Sequence, residues 1–153
     1  MTEVPERIRA LVGDLVVVDE GLQWIDTASR PSVVAALGAE IAVLSHRFGA
    51  DAVACWVSDD ESVLAHSIAV ALDVPVARAD ENLGLLTLDP ELPGAARSVL
   101  LVATAWTMEH PLAPLASLLT NRGKTVAAAV SLLPGDDRTD GAPGYPKLVL
   151  STS

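Results

Sequence analysis

The sequence predicts an α/β fold: one domain, residues 1–153, with a mainly parallel central sheet flanked by helices. Composition is the first reason. Half of the 153 residues are apolar but only 3% are aromatic, so the core must be built from Ala, Val and Leu. The second is a set of short runs at 52–57, 74–77, 99–102 and 126–133 that are apolar at successive positions, as strands covered on both faces are. The third is that stretches with apolar residues at helical spacing separate several of these runs, as βαβ units require. A chain of this length buries roughly 68–70% of its unfolded surface, enough for one core.

Taken in order, residues 4–11 read as a short helix and 16–19 (VVVD) as a strand. In the following GLQWID, Leu22, Trp24 and Asp26 alternate with their neighbours as in a strand with one wet face. Pro31 opens a helix whose Val34, Leu37, Ile41, Leu44 and Phe48 form one seam, and Gly49 closes it. The run 52–57 is a central strand. SDDE leads from it into a helix over 61–72, with Val63, Leu64, Ile68, Ala69 and Leu72 facing inward. A short strand follows at 74–77. Between 78 and 96 only GLLTL (84–88) has strand character, before the DPELPG turn. The strand at 99–102, a loop, a helix from Pro111 and the strand at 126–133 complete a second βαβ unit, in which ligands bind beyond the strand ends. An acidic, turn-rich segment and a last strand at 147–151 end the chain.

Twenty acidic against ten basic residues give a formal net charge of −10, and the basic residues are scattered. Nucleic-acid binding needs clustered Lys and Arg, so no nucleic-acid partner is expected. No apolar run approaches the roughly 20 residues of a membrane span and the amino terminus lacks a signal pattern, so no membrane partner and a cytoplasmic location are expected. Cys55, the single cysteine, lies in an apolar run and reads as a core residue rather than a nucleophile.

Several motifs fail on inspection. Gly123-Lys124-Thr125 resembles the end of a phosphate-binding loop, but Leu118 stands at the first glycine position and the order is helix, GKT, strand. DDRTDG (136–141) has Arg138 and Lys147 at calcium-ligand positions. The three histidines, His46, His66 and His110, are isolated, and no metal site is expected. Two loops at strand ends remain. Ser58-Asp59-Asp60-Glu61 reads first as a capping box, with its acids complementing the helix dipole, and second as a set of metal-binding carboxylates. In ATAWTMEHP (103–111), Thr107 can donate to an anion and His110 can act as acid or base. The plainer reading is that Thr107 or Glu109 caps the next helix.

The run from Trp24 to Leu133 resembles the type I phosphoribosyltransferases, and the orotate enzymes most. WID (24–26) is similar to that family's YID. GADAVACWVSDDESVLAHSIAVALDVPVAR is similar to its strand, pyrophosphate loop, helix and strand. RSVLLVATAWTMEHPL lies over VLLVDDVxTTGGTL, and LLTNRGKTVAAAVSLL over the helix and strand that follow it. The resemblance implies a core sheet of order 3-2-1-4-5 or a close variant, a homodimer, and a ligand that is a phosphorylated sugar or nucleobase.

At the chemical positions the likeness stops. The family's paired acids, which bind the ribose hydroxyls, fall on Ala103 and Thr104. Its phosphate-wrapping TTGGT falls on Thr107, Met108, Glu109, His110 and Pro111, of which only Thr107 matches. Pro111 has no amide hydrogen, and a carboxylate about 4 Å from a phosphate charge costs roughly 1 kcal/mol in water and about 4 kcal/mol at an effective dielectric of 20. Asp59, Asp60 and Glu61 replace a glycine-containing pyrophosphate loop, and no Lys or Arg lies between Asp80 and Ala96, where the orotate enzymes carry a basic hood. The expectation is a phosphoribosyltransferase-fold protein that has lost transferase activity and serves as a binding, regulatory or assembly module, with no catalytic residue and no cofactor. The vestigial ligand site would comprise Ala103, Thr104, Thr107, Glu109, His110, Asp59, Asp60 and Glu61. The alternative is an active enzyme of nucleotide metabolism with a non-standard site; only then is magnesium expected.

Overall fold

Strand-end chemistry in this chain is positioned by a six-stranded sheet covered on both faces. The computed structural model describes residues 3–136 and 144–151. The elements are α1 (Glu6–Leu15), β1 (Val16–Asp19), β2 (Leu22–Ile25), α2 (Pro31–Ser45) with a 3-10 turn (His46–Phe48), β3 (Ala52–Trp56), α3 (Asp59–Leu72), β4 (Val76–Asn82), β5 (Leu85–Asp89), β6 (Ser98–Ala103), α4 (Leu112–Asn121), β7 (Thr125–Ser131) and β8 (Lys147–Val149). β1 and β2 form an antiparallel ribbon, and the main sheet has the order β5-β4-β3-β6-β7-β8. Only β5 runs antiparallel within it. Numbered along the chain within that sheet, the order is 3-2-1-4-5-6, the expected 3-2-1-4-5 extended by one strand.

Side chains alternate between two cores, as the period of two requires. Val53 and Cys55 of β3 and Leu100 and Val102 of β6 face α1, α2 and α3 through Ile8, Leu37, Ile41, Leu64 and Ile68. Ala52, Ala54 and Trp56, with Val99 and Leu101, face α4 through Leu112, Leu115 and Leu119. Small strand residues let the helices sit close. At Gly38 an added Cβ would lie 2.7 Å from the Ser67 backbone, so α2 and α3 touch through their main chains.

Several expected boundaries shift. The first helix starts later and runs to Leu15. Leu22 and Trp24 are exposed while Ile25 is buried, so the wet face of β2 is the one that carries the large side chains. Val63 faces solvent rather than the core. β4 continues through the polar RADEN to pair with β5 across a two-residue turn, Leu83-Gly84, with φ of 54° and 79°. That is the geometry of a type I′ hairpin. β8 ends at Val149, short of the expected 151. Of the acidic segment, residues 137–143, which include Arg138 and Gly141, lie outside the described residues. Among the described residues no helix is long and apolar enough to cross a membrane.

Candidate functional site

Parallel β3 and β6 deliver their carboxyl ends side by side, which brings the two loops singled out in the sequence into contact. A clamp at the opposite end fixes their register. The Asp51 amide donates to the Ser98 carbonyl, and the Ser98 amide donates to Asp51 Oδ1, both at 2.8 Å. Partial burial opposes ionisation of Asp51, but the backbone donors at Ser98 and Arg97 outweigh it and hold this carboxyl below its ordinary value.

After β3 the chain turns into α3 at Ser58, whose Oγ accepts from the Glu61 amide at 3.2 Å. This is half of the expected capping box. The reciprocal half is not made, because the Glu61 carboxylate crosses to the other loop. Thr104 donates its amide to Glu61 Oε2 at 2.7 Å and its hydroxyl to Oε1. Glu61 is only 4% exposed. Burial pushes its carboxyl above the ordinary range, and the neighbouring Asp60 charge adds to this. The two Thr104 bonds work in the opposite direction. Asp60 accepts from the buried Thr27 hydroxyl at 2.6 Å, which ties the segment after β2 to α3, while Asp59 is exposed on the first turn. Among the described residues no group of His, Cys, Asp or Glu is arranged to hold a metal ion, so the carboxylates of this loop do not converge as ligands.

The loop after β6 is held on every side. The Thr104 carbonyl accepts from the Leu132 and Leu133 amides at 3.1 and 2.8 Å. Thr107 donates its amide to the His110 carbonyl at 3.2 Å, and the His110 amide donates to Thr107 Oγ1 at 3.1 Å. Met108 donates its amide to Asp136 Oδ1 at 3.2 Å. Neither Thr107 nor Glu109 caps the next helix. α4 begins after Pro111 with no side-chain cap, and the Thr107 hydroxyl serves the loop instead. Trp56 donates its indole N–H to the Pro111 carbonyl at 2.8 Å, and the His110 ring stacks on it at 6.2 Å between centroids. Glu109 and His110 line a cavity of about 240 Å³ with Trp56, Val57, Ala79, Asp80 and Glu81. Ala103 is buried within the strand end and presents no polar side chain.

The structure thus joins Glu61 to Thr104, sets Glu109 and His110 around one cavity, and leaves Asp59 apart. Sequence reasoning missed Asp136, Trp56 and Thr27 as partners. It also missed Gly135, where an added Cβ would lie 1.7 Å from the Trp106 carbonyl oxygen. The available signal was the Pro134-Gly135-Asp136 turn directly after an apolar strand. Cys55, adjacent to Glu61, is fully buried, and desolvation with the Glu61 charge pushes its thiol up to about 12.

Sheet order, helix placement and the paired strand-end loops together define the type I phosphoribosyltransferase fold. Two kinds of solved protein share it. An adenine phosphoribosyltransferase structure superposes with a TM-score of 0.73 at 14% identity, covering 94% of this chain and 99% of that one. The orotate phosphoribosyltransferase of Mycobacterium tuberculosis H37Rv, solved in complex with inorganic phosphate, gives a TM-score of 0.67 at 18% identity over 97% of this chain and 88% of that one. The orotate enzyme of Aeropyrum pernix gives 0.63 at 21% identity over 94% and 93%. No family model matches the sequence, and no curated protein matches it.

Proposed function

We propose that this chain is a phosphoribosyltransferase-fold protein that does not transfer phosphoribosyl groups and serves as a binding, regulatory or assembly module. The observation that carries the reading is the bond between Glu61 and Thr104. At the strand end where the family's paired acids would accept from the ribose hydroxyls, Ala103 and Thr104 offer no carboxylate, and both Thr104 donors are held by the chain's own buried Glu61. Asp136 takes the Met108 amide in the same way. An incoming phosphate would have to displace carboxylates that are tethered and therefore present at high effective concentration. Glu109 would add like charge. The segment between Asp80 and Ala96 supports the same reading, because a hairpin with a two-residue turn has no length for a mobile basic hood.

The test is to mix the full chain with magnesium, phosphoribosyl pyrophosphate and a panel of nucleobases and orotate, and to follow pyrophosphate release. No turnover above background is expected. Turnover on the order of 1 per second, within the ordinary enzyme range, would overturn the proposal. One observation favours the alternative of an active enzyme with a non-standard site: His110 and Glu109 share a cavity with Asp80 and Glu81. If that reading holds, the same assay registers product and His110→Ala abolishes it.

A further inference from the structure

We propose that the cavity between the carboxyl ends of β3 and β4 and the loop at 103–111 binds a small organic cation, a guanidinium or an alkylammonium, rather than an anion. The inference rests on the reading of the chain as a binding module and adds the chemical class of its ligand. Position and shape define the site before charge is considered. It is a concavity of about 240 Å³ at the ends of parallel strands, where open α/β sheets bind ligands. Its inner wall is aromatic, Trp56 with the His110 ring stacked on it, and the bond from the indole N–H to the Pro111 carbonyl fixes the Trp56 ring. Drug-sized ligands occupy about 300–1,000 Å³, so the occupant is smaller than that class.

Charge then selects the occupant. Asp80 and Glu81 of β4 and Glu109 of the loop line the cavity, and among the described residues no Lys or Arg does. Other carboxylates at this end of the sheet are engaged: Asp60 by the Thr27 hydroxyl, Glu61 by Thr104 and Asp136 by the Met108 amide. Among the described residues the three that line the cavity enter no ion pair. They come from two elements that the fold holds in place. Asp80 and Glu81 are paired across the β4–β5 hairpin with Thr87 and Leu86, and two bonds between Thr107 and His110 close the loop. A phosphate would meet three like charges there. A divalent metal ion needs carboxylates that converge on one point, and among the described residues no group of His, Cys, Asp or Glu is so arranged. Carboxylates spread around an aromatic wall suit a cation whose donors are themselves spread. A guanidinium carries five N–H donors in a plane that stacks on an aromatic face.

The test is calorimetric titration of the full chain with agmatine, an alkylguanidine carrying a terminal amine, beside magnesium chloride and inorganic phosphate. Agmatine should bind with a dissociation constant on the order of 100 μM, the range open to a ligand of its size in a partly open site. Amide chemical-shift changes should centre on residues 79–81 and 108–110. Glu81→Gln and Glu109→Gln, isosteric and at exposed positions, should each weaken binding on the order of tenfold, with circular dichroism reporting an unchanged fold. Glu20→Gln, which removes the same charge from the β1–β2 turn, should change it by less than about twofold, because salt screens a distant exposed charge. An absence of agmatine binding at millimolar concentration, magnesium or phosphate bound as tightly as agmatine, indifference to both cavity variants, or an equal loss with Glu20→Gln would each overturn the proposal. Pyrophosphate release by a chain that binds agmatine as expected would overturn the non-transferring reading and leave the cation site standing. A chain silent in both experiments keeps that reading and loses this one.

Discussion

Glu61→Ala should lower the unfolding free energy by about 3 kcal/mol. Two hydrogen bonds to a charged acceptor contribute about 1.5–3 kcal/mol each. Against this stands the relief of a desolvated carboxylate, whose unfavourable burial is the cause that raises its pKa. The truncation also leaves the Thr104 amide and hydroxyl without their acceptor at the end of β6. For a domain of this size, about 3 kcal/mol corresponds to a fall in Tm of about 6–12 °C. Glu61→Gln separates the two contributions. Its amide oxygen can accept from the Thr104 amide and its nitrogen can donate to the hydroxyl, so both bonds survive while the charge is gone, and the variant should be at least as stable as wild type at neutral pH. The pH dependence follows. Because the folded carboxyl is raised above its ordinary value of 4.5, its contribution to stability is fully present below that value and is lost as pH rises through the folded value. The advantage of Glu61→Gln over wild type should therefore grow with pH above 4.5 and then level off. Urea unfolding of the three proteins across that range is the assay. If glutamine proves as damaging as alanine, or alanine is neutral, the account of Glu61 as a costly but well-bonded link is wrong.

Other perturbations test other parts of the structure. Gly135→Ala should cost at least 3 kcal/mol, since its Cβ would collide with the Trp106 carbonyl, and the displaced loop should register in near-UV circular dichroism. Leu83→Asn should stabilise by up to about 1 kcal/mol, because Leu83 is fully exposed at positive φ and asparagine suits that turn position; chemical denaturation checks it. Cys55 should resist iodoacetamide at neutral pH until the protein unfolds, because its thiol is buried with a pKa of about 12; mass spectrometry across a denaturant series reads the transition.

Sheet and helices were legible because burial on both faces writes itself as unbroken apolar runs: AVACW of β3 and VLLVA of β6 admit few other interpretations. β4 was half hidden because its outer stretch, Arg78 to Asn82, buries only Ala79, and an alanine among charges carries little signal. The site was legible in location, since strand ends follow from the strands. Its wiring was not. Ser58 followed by Glu61 is a local motif, and the local rule was correct for the backbone amide. The carboxylate went instead to Thr104, 43 residues along the chain, where an amide and a hydroxyl together offer two donors in place of the single Ser58 amide. Asp136 and Met108 are likewise 28 positions apart, beyond any periodicity.

The pairing of β3 with β6 also sets an order of assembly. β3, α3, β4 and β5 can associate as soon as they are made, but Ala52 meets Val99 only after 47 further residues have followed it. At about 5–20 residues per second of synthesis, the inner edge of β3 waits roughly 2–9 s for its partner. During that interval AVACW is a bare apolar edge on a nascent chain. The Asp51–Ser98 clamp, at the first point where the two strands meet, is placed to capture β6 in register as it emerges.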